Sequence, residues 1–175
     1  MNNFSWDQQF KELFDRCLPR YRAGDENYGG YYSEEDEVFL SAIGYKPREF
    51  FDFVEDYADE GLPSLEAAIL IAGVRRDYLD VVQRGVRSDH EIRSDDLPAR
   101  DAELGGYEWL PRIIMKARGK LRGELDPDIM YSCGGDRAFL KRHDFHPAEF
   151  LRVVWASGDD DAKVLEWVQR RAKVS

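Results

Sequence analysis

The sequence predicts an all-α protein built from two tandem four-helix repeats, offset by 100 residues and packed about a pseudo-two-fold axis. The stretch DEVFLSAIGYKPREF at 36–50 and the stretch DRAFLKRHDFHPAEF at 136–150 share Asp, Phe, Leu, Pro, Glu and Phe at the same places. Between 31–66 and 131–166, 11 of 36 ungapped pairs are identical, whereas about 2 are expected from ordinary composition. Apolar residues recur every three or four positions, which indicates helices, and strand periodicity is lacking in both copies.

Composition excludes several classes of protein. Hydrophobic residues make up 43% of the 175 residues, enough for a packed core, so a disordered chain is not expected. The net charge of −10 disfavours nucleic-acid binding, because that affinity comes largely from Lys and Arg contacts to phosphate. The longest apolar run, Ala67–Val74, is too short to span a bilayer. The first ten residues lack the basic and apolar regions of a signal peptide, so we expect a soluble cytoplasmic protein with no membrane contact.

The first repeat is assigned to residues 1–86 and contains four predicted helices. A break is expected in the last of them, near Gly73, because glycine lowers helix stability. Each start is marked by a capping residue or by proline. The predicted starts are Ser5 with Gln8 as a capping box, Ser33 with Asp36, Pro47, and Ser64.

The second repeat is assigned to residues 107–175, after a polar, unpatterned linker at 87–106. Its first helix is expected near Trp109, with Pro111 in the first turn. Cys133 replaces the capping serine of the first repeat, and Pro147 starts the third helix. The last helix is predicted over 160–173. The core positions repeated in the two copies are Phe39, Phe50, Phe139 and Phe150.

The second repeat resembles a known family. The pieces DAELGGYEWLPRIIMKARGKLRGEL, YSCGGDRAFL and HPAEFLRVVWASGDDDAKVLEWVQRRA are similar to small bacterial helical domains of unknown function, over about residues 96–173. Such domains usually have an acid where this chain has Met115, and Asp15 occupies the aligned position of the first repeat. The resemblance implies a helical fold and brings no activity with it.

A locally basic helix is the main candidate binding feature of this acidic chain. It contains Arg112, Lys116, Arg118, Lys120 and Arg122. One interpretation is a solvated face paired with the acidic run Asp159–Asp161. The other is a pocket for a small anion. The candidate binding residues are Arg112, Lys116, Arg118, Tyr131 and Asp136, and no catalytic residue is assigned.

Metal-ligating residue types are present, but their spacing is poor. His143 and His146 precede Glu149. However, Pro147 forces a break between two helices, so the two histidines do not lie on one continuous helical face. His90 lies in the predicted linker. Cys17 and Cys133 do not align in the two repeats, and two isolated cysteines indicate reduced thiols rather than a disulfide framework or a zinc site. We therefore expect no metal and no cofactor.

These patterns favour a non-catalytic binding or scaffold module that acts through protein contacts. The partner is unknown, and the acidic stretches SEEDE and VEDYADE favour a basic one. The alternative is a small-anion-binding protein or enzyme that uses the basic first helix of the second repeat. A deep pocket lined by Arg112, Lys116 and Tyr131 would favour the ligand, and a flat surface would favour the partner.

Overall fold

The computed structural model describes residues 3–172 and consists mainly of α-helices. Eight α-helices and one two-stranded antiparallel sheet lie within this range. The chain divides into two compact units, Met1–Arg87 and Ser88–Ser175. The all-α prediction is therefore confirmed in its broad form. The packing of two repeats about a pseudo-two-fold axis stays a prediction.

The first unit contains α1 (Trp6–Arg22), α2 (Glu34–Ala42), α3 (Pro47–Glu60) and α4 (Leu65–Val81), with a short 3-10 turn at Tyr28–Gly30. Its core is rich in aromatic rings that meet edge to face, the arrangement that ring quadrupoles favour. Phe50 of α3 is fully buried and lies 4.8 Å from Phe10 of α1, measured between ring centroids. Helices α1 and α3 are thus held together by contacts between aromatic side chains.

Two of the three serines predicted to cap helices in the first unit do so. Ser33 and Asp36 form a capping box, in which the Asp36 N–H donates to Ser33 Oγ at 3.2 Å and the Ser33 N–H donates to Asp36 Oδ2 at 3.0 Å. Ser64 caps α4 by accepting the Ala67 N–H at 3.2 Å. The prediction for Ser5 was wrong, since its side chain accepts no capping bond. Its backbone (φ −128°, ψ 23°) departs from the extended shape that a capping residue needs.

Helix α4 runs unbroken through Gly73, so the predicted break was wrong. A Cβ at Gly73 would meet the Trp6 ring at 3.4 Å. The glycine therefore serves close packing of Trp6 against α4. A glycine within a helix lowers its stability only modestly. Burial of one face of α4 contributes more than this loss, so the helix continues.

The second unit contains α5 (Leu110–Arg122), α6 (Gly134–Arg142), α7 (Pro147–Ser157) and α8 (Asp161–Ala172). A small hairpin precedes them, with β1 (Glu103–Leu104) paired to β2 (Tyr107–Glu108), where no strand was predicted. Gly105 and Gly106 both have positive φ, which a tight two-residue turn requires. The α8 prediction extended to Lys173, which lies outside the described residues.

The segment predicted as a linker is structured along much of its length. Ile92 and Leu97 are buried, and a 3-10 turn covers Ser94–Asp96. The Ile92 N–H donates to Glu124 O at 2.7 Å, and the Asp126 N–H donates to Ile92 O at 3.0 Å. Backbone hydrogen bonds at Ile92 and the burial of two apolar side chains thus attach this segment to the rest of the second unit. The domain limits drawn from the sequence stay a prediction.

The repeated phenylalanines should each contribute strongly to stability. Phe39, Phe50, Phe139 and Phe150 are all at most 4% exposed. Truncating any one to alanine removes a buried ring and leaves a cavity, so the free energy of unfolding should fall by about 3–5 kcal/mol in chemical denaturation. The control is Phe4→Ala, because Phe4 is 94% exposed. A loss below about 1 kcal/mol at the buried sites would contradict their assignment to the core.

A buried carboxyl on α3 should make the first unit sensitive to pH. Burial raises the pKa of Asp52 to about 7, although the Arg48 guanidinium lies 3.0 Å away and acts in the opposite direction. The unfolded chain releases this proton near pH 4 and the folded chain near pH 7, so Asp52 lowers stability progressively across that interval.

The Asp52→Asn variant should therefore gain stability relative to the parent as pH rises. We expect the difference in unfolding free energy to shift by at least about 1 kcal/mol between pH 4 and pH 8. Urea denaturation of both chains at each pH measures it. A constant difference would show that Asp52 titrates near its ordinary pKa when folded.

Candidate functional site

The most unusual chemistry of the second unit is a buried charge cluster around Asp136. Asp136 is the third residue of α6 and is fully buried. Lys116, from the middle of α5, is 3% exposed, and its Nζ lies 2.5 Å from Asp136 Oδ2. An unpaired charge in such a place would be strongly destabilising, so each of these groups requires the other.

Three further groups complete this Asp136 cluster, which comprises Trp109, Lys116, Ser132, Cys133 and Asp136. The Trp109 Nε1–H donates to Asp136 Oδ1 at 2.9 Å. The Ser132 N–H donates to Asp136 Oδ2 at 2.9 Å. Lys116 Nζ also donates to Cys133 Sγ at 3.2 Å. Both carboxylate oxygens are thus hydrogen bonded without any group from outside the unit.

Two of the residues that donate hydrogen bonds to Asp136 have uncommon backbone conformations. Trp109 has φ 71° and Ser132 has φ 69°, in the left-handed region that non-glycine residues rarely occupy. The Trp109 ring covers Gly135, where a Cβ would come within 2.5 Å of the indole. The GG pair before Asp136 therefore makes room for the indole. Sequence reasoning missed Trp109, although the glycine pair was a signal for a close neighbour.

The first unit has a related but more exposed pair. Arg16 of α1 lies 2.6 Å from Asp36, the third residue of α2, and the Arg16 side chain is 59% exposed. Burial acts to raise the pKa of Asp36, but hydrogen bonds from Arg16 and Ser33 outweigh it and hold the pKa below its usual value. On the residue after Arg16, burial raises the pKa of the Cys17 thiol to about 11. That thiol is therefore protonated at neutral pH.

The five candidate binding residues do not form one pocket wall. Lys116 and Asp136 are joined in the cluster, whereas the buried Tyr131 donates its hydroxyl hydrogen to Pro147 O at 2.8 Å. Arg112 donates to Pro98 O at 2.7 Å, with its guanidinium over the Trp109 ring. Arg118 donates from Nε to Gly158 O at 2.9 Å. Each of these side chains contributes to holding the unit together.

An open cleft of about 410 Å³ lies beside the outer side of α5. Arg118 and Arg122 line it together with the acids that neutralise them. Asp161 lies 2.6 Å from Arg118 Nη1, and Asp159 lies 2.5 Å from Arg122 Nη2. The sequence offered two interpretations of the basic helix, a face paired with the acidic run Asp159–Asp161 or a pocket for a small anion. These ion pairs correspond to the first. Met115, which stands where the resembling family has an acid, also lines the cleft.

The histidines have ordinary structural partners. The His143 ring packs against Phe139, with 4.7 Å between ring centroids, and burial lowers its pKa. His146 caps α7, because its Nδ1 accepts the Ala148 N–H at 3.1 Å. Across residues 3–172, no three His, Cys, Asp or Glu side chains are grouped so that they could hold a metal ion.

Comparison with known proteins finds a domain match in the second unit and no function. Residues 89–175 match the sequence model of a domain of unknown function, DUF5069. The resemblance of the second repeat to a family without a known activity is thereby confirmed. No curated protein and no solved structure matches the chain. None of the helices described here is both long enough and apolar enough to cross a membrane.

The two charge pairs should differ greatly in energetic weight. Lys116→Met leaves Asp136 buried without its counter-charge, and should lower the free energy of unfolding by about 3–5 kcal/mol. Arg16→Met removes a largely exposed partner, and should cost at most about 1 kcal/mol. Urea denaturation of both variants beside the parent chain measures the contrast. Equal losses would mean that burial does not set the strength of these pairs.

Proposed function

We propose that this chain is a non-catalytic binding protein that acts through protein contacts, and that its first unit supplies the main binding surface for a basic partner. The observation that supports this most directly lies at the end of α4. There the exposed residues Asp77, Asp80, Val81, Val82 and Val86, called here the α4 surface, combine two acids with three valines, and Arg76 and Arg84 lie beside them in the chain.

The charge of the chain is concentrated in the first unit. Residues 1–87 contain eighteen acidic and ten basic residues, a formal charge of −8, whereas residues 88–175 contain seventeen and fifteen, a charge of −2. Local potential steers association and suppresses partners of like charge. A basic protein is therefore attracted mainly to the first unit.

Exposed apolar side chains show the same bias. The large apolar residues that are exposed in the described range all belong to the first unit, and three of them are Val81, Val82 and Val86. Val81 is 67% exposed and Val86 is 70% exposed. Apolar groups gathered at one place on a surface and edged by charge are typical of protein interaction sites.

The α4 surface is also locally unfavourable for the helix. Asp77 and Asp80 are exposed near its carboxyl end, where the helix dipole disfavours negative charge, and no basic residue lies in the last turn. Exposed valines add little helix stability, since β-branched side chains lose rotamer freedom in a helix. Asp77 already has an ion-pair partner in Arg76, at 3.6 Å, whereas a binding role explains the exposed positions of Asp80 and the three valines.

The small-anion alternative has weaker support. Arg118 Nη2 is buried without a hydrogen-bond partner among the described residues, next to the open cleft. However, three acids, Glu124, Asp159 and Asp161, line the same cleft against two arginines and give it more negative than positive charge. Lys116 and Tyr131, the two residues expected in a deep pocket, are buried and hydrogen bonded inside the unit.

We propose further that the two units are copies of one ancestral four-helix repeat. Helices α2 and α6 have bounds 100 residues apart, and α3 and α7 start 100 residues apart. The pairs Arg16–Asp36 and Lys116–Asp136 also keep this offset. A charged pair that joins the first two helices at the same offset supports descent from one repeat better than apolar identities alone.

The binding proposal is tested by cross-linking the tagged full chain in an extract of its native cells, followed by mass spectrometry. Captured proteins are then purified and titrated against the chain by calorimetry. We expect a direct basic partner whose cross-links fall within 1–87 and whose affinity drops as salt screens the charges. Cross-links confined to 88–175, or no direct protein binding, would contradict the proposal.

A matched pair of variants locates the surface. Asp77→Asn with Asp80→Asn removes two charges from the α4 surface, and should weaken binding about three- to ten-fold. Asp95→Asn with Asp101→Asn removes two exposed charges from the second unit, and should leave the affinity within about two-fold. Equal weakening by the two sets would indicate a general charge effect and would overturn the assignment.

A further inference from the structure

We propose that copies of this chain associate through an antiparallel contact between α2 of one molecule and α6 of a second copy. This goes beyond the proposed function, because it concerns binding between identical chains on a different surface. The proposal is based on two exposed helix faces of equal length whose charges and side-chain sizes are complementary.

The outer face of α2 carries acidic residues at its amino end and small residues at its carboxyl end. Glu34 and Glu35 are exposed in the first turn, and neither makes a hydrogen bond or an ion pair with another described residue. Val38 follows one turn later and is 69% exposed. Ser41 and Ala42 end the helix. A shallow depression runs along this face, lined by Glu34, Glu37, Val38, Ser41 and Ala42.

The outer face of α6 has the opposite order. The exposed Gly134 starts the helix and the exposed Ala138 lies at its centre, whereas Gly135 is half-buried beneath the Trp109 ring. Lys141 and Arg142 are exposed in its last turn, and neither is ion-paired with another described residue. This helix therefore presents small residues at its amino end and two cations at its carboxyl end, with no carboxylate on its exposed face.

An antiparallel register that places Val38 against Ala138 satisfies both faces at once. The acidic amino end of α2 then lies beside the basic carboxyl end of α6, and the opposed helix dipoles add to the attraction. Small residues at the other end let the two helix axes approach to about 8 Å. The pairs brought together are Val38–Ala138, Glu34–Arg142, Glu35–Lys141 and Ala42–Gly134.

A second copy fits this surface because every molecule has both halves of the contact. The α2 face of one molecule can therefore receive the α6 face of a second copy, a contact between two unlike surfaces of the same chain. Each nine-residue helix is only about 13 Å long. The contact area is therefore small, and a dissociation constant of about 10–100 µM is expected, typical of weak interfaces.

Sedimentation velocity from about 5 to about 500 µM tests the proposal, since this range brackets the expected affinity. Two charge-reversed chains are compared with the parent, Glu34→Lys with Glu35→Lys, and Lys141→Glu with Arg142→Glu. Each alone places like charges across the contact, and should dimerise at least about ten-fold more weakly. An equimolar mixture restores opposite charges where α2 of one variant meets α6 of the other, and should associate about as well as the parent.

The control reverses two acids of α1, Asp7→Lys with Glu12→Lys, which changes the net charge by the same amount as the α2 variant. It should dimerise within about two-fold of the parent. Circular dichroism checks that each chain folds. If a reversed chain does not fold, the neutral variants Glu35→Gln and Lys141→Gln replace it, and each should weaken the dimer about three-fold.

Three results would overturn the proposal. The first is a parent chain that stays monomeric over the whole range. The second is a dimer that neither charge-reversed chain weakens, or that the α1 control weakens equally. The third is a mixture of the two reversed chains that fails to recover the dimer, because opposite charges would then not be the basis of the contact.

Discussion

In each unit, one carboxylate at the third position of the second helix fixes that helix to the first one. Asp36 receives Arg16 from α1, and Asp136 receives Lys116 from α5. The position suits an anion even without a partner, because the first backbone N–H groups of a helix are unsatisfied there. The cation fixes the relative position of the two helices, because it determines which turn of the first helix lies against the start of the second. The remaining core packs around a joint that these polar groups define.

The contact between the first and second helices is buried to different degrees in the two units, and this changes how much the ion pair contributes to stability. Arg16 is largely exposed, so solvent screens its attraction to Asp36 and the Ser33 capping box supplies much of the local order. In the second unit Trp109 closes over the joint, and Gly135 provides the space for its ring. A buried Lys–Asp pair adds little net stability compared with apolar packing, but it is intolerant of losing either partner. Specificity of arrangement is therefore its main physical consequence.

Much of the helical plan could be predicted from the sequence, because prolines and capping residues act locally. Pro47, Pro147 and Ser33 mark helix starts for reasons contained within a few residues. The failures needed contacts distant in the chain. Gly73 lies within an unbroken α4 and packs against Trp6, and the predicted linker is ordered at Ile92, which forms a single β-bridge with Leu125. Burial of Lys116 could not be read from a helix with five basic residues, since that depends on Trp109 and Ser132 approaching from elsewhere.

The tyrosines show how far a repeat in sequence can depart from a repeat in contacts. Tyr31 and Tyr131 are aligned and identical, yet Tyr31 donates its hydroxyl hydrogen to Asp25 O, whereas Tyr131 donates to Pro147 O. The bond to the matching Pro47 O comes from Tyr32 instead, at 3.0 Å. The left-handed Ser132 lies directly after Tyr131, so the approach to α6 differs in backbone shape from the approach to α2. The hydroxyl bond to the first residue of the third helix is therefore present in both units, from Tyr32 in the first and from Tyr131 in the second. An alignment of residue types alone pairs Tyr131 with Tyr31 and so assigns this bond to the wrong tyrosine of the first unit.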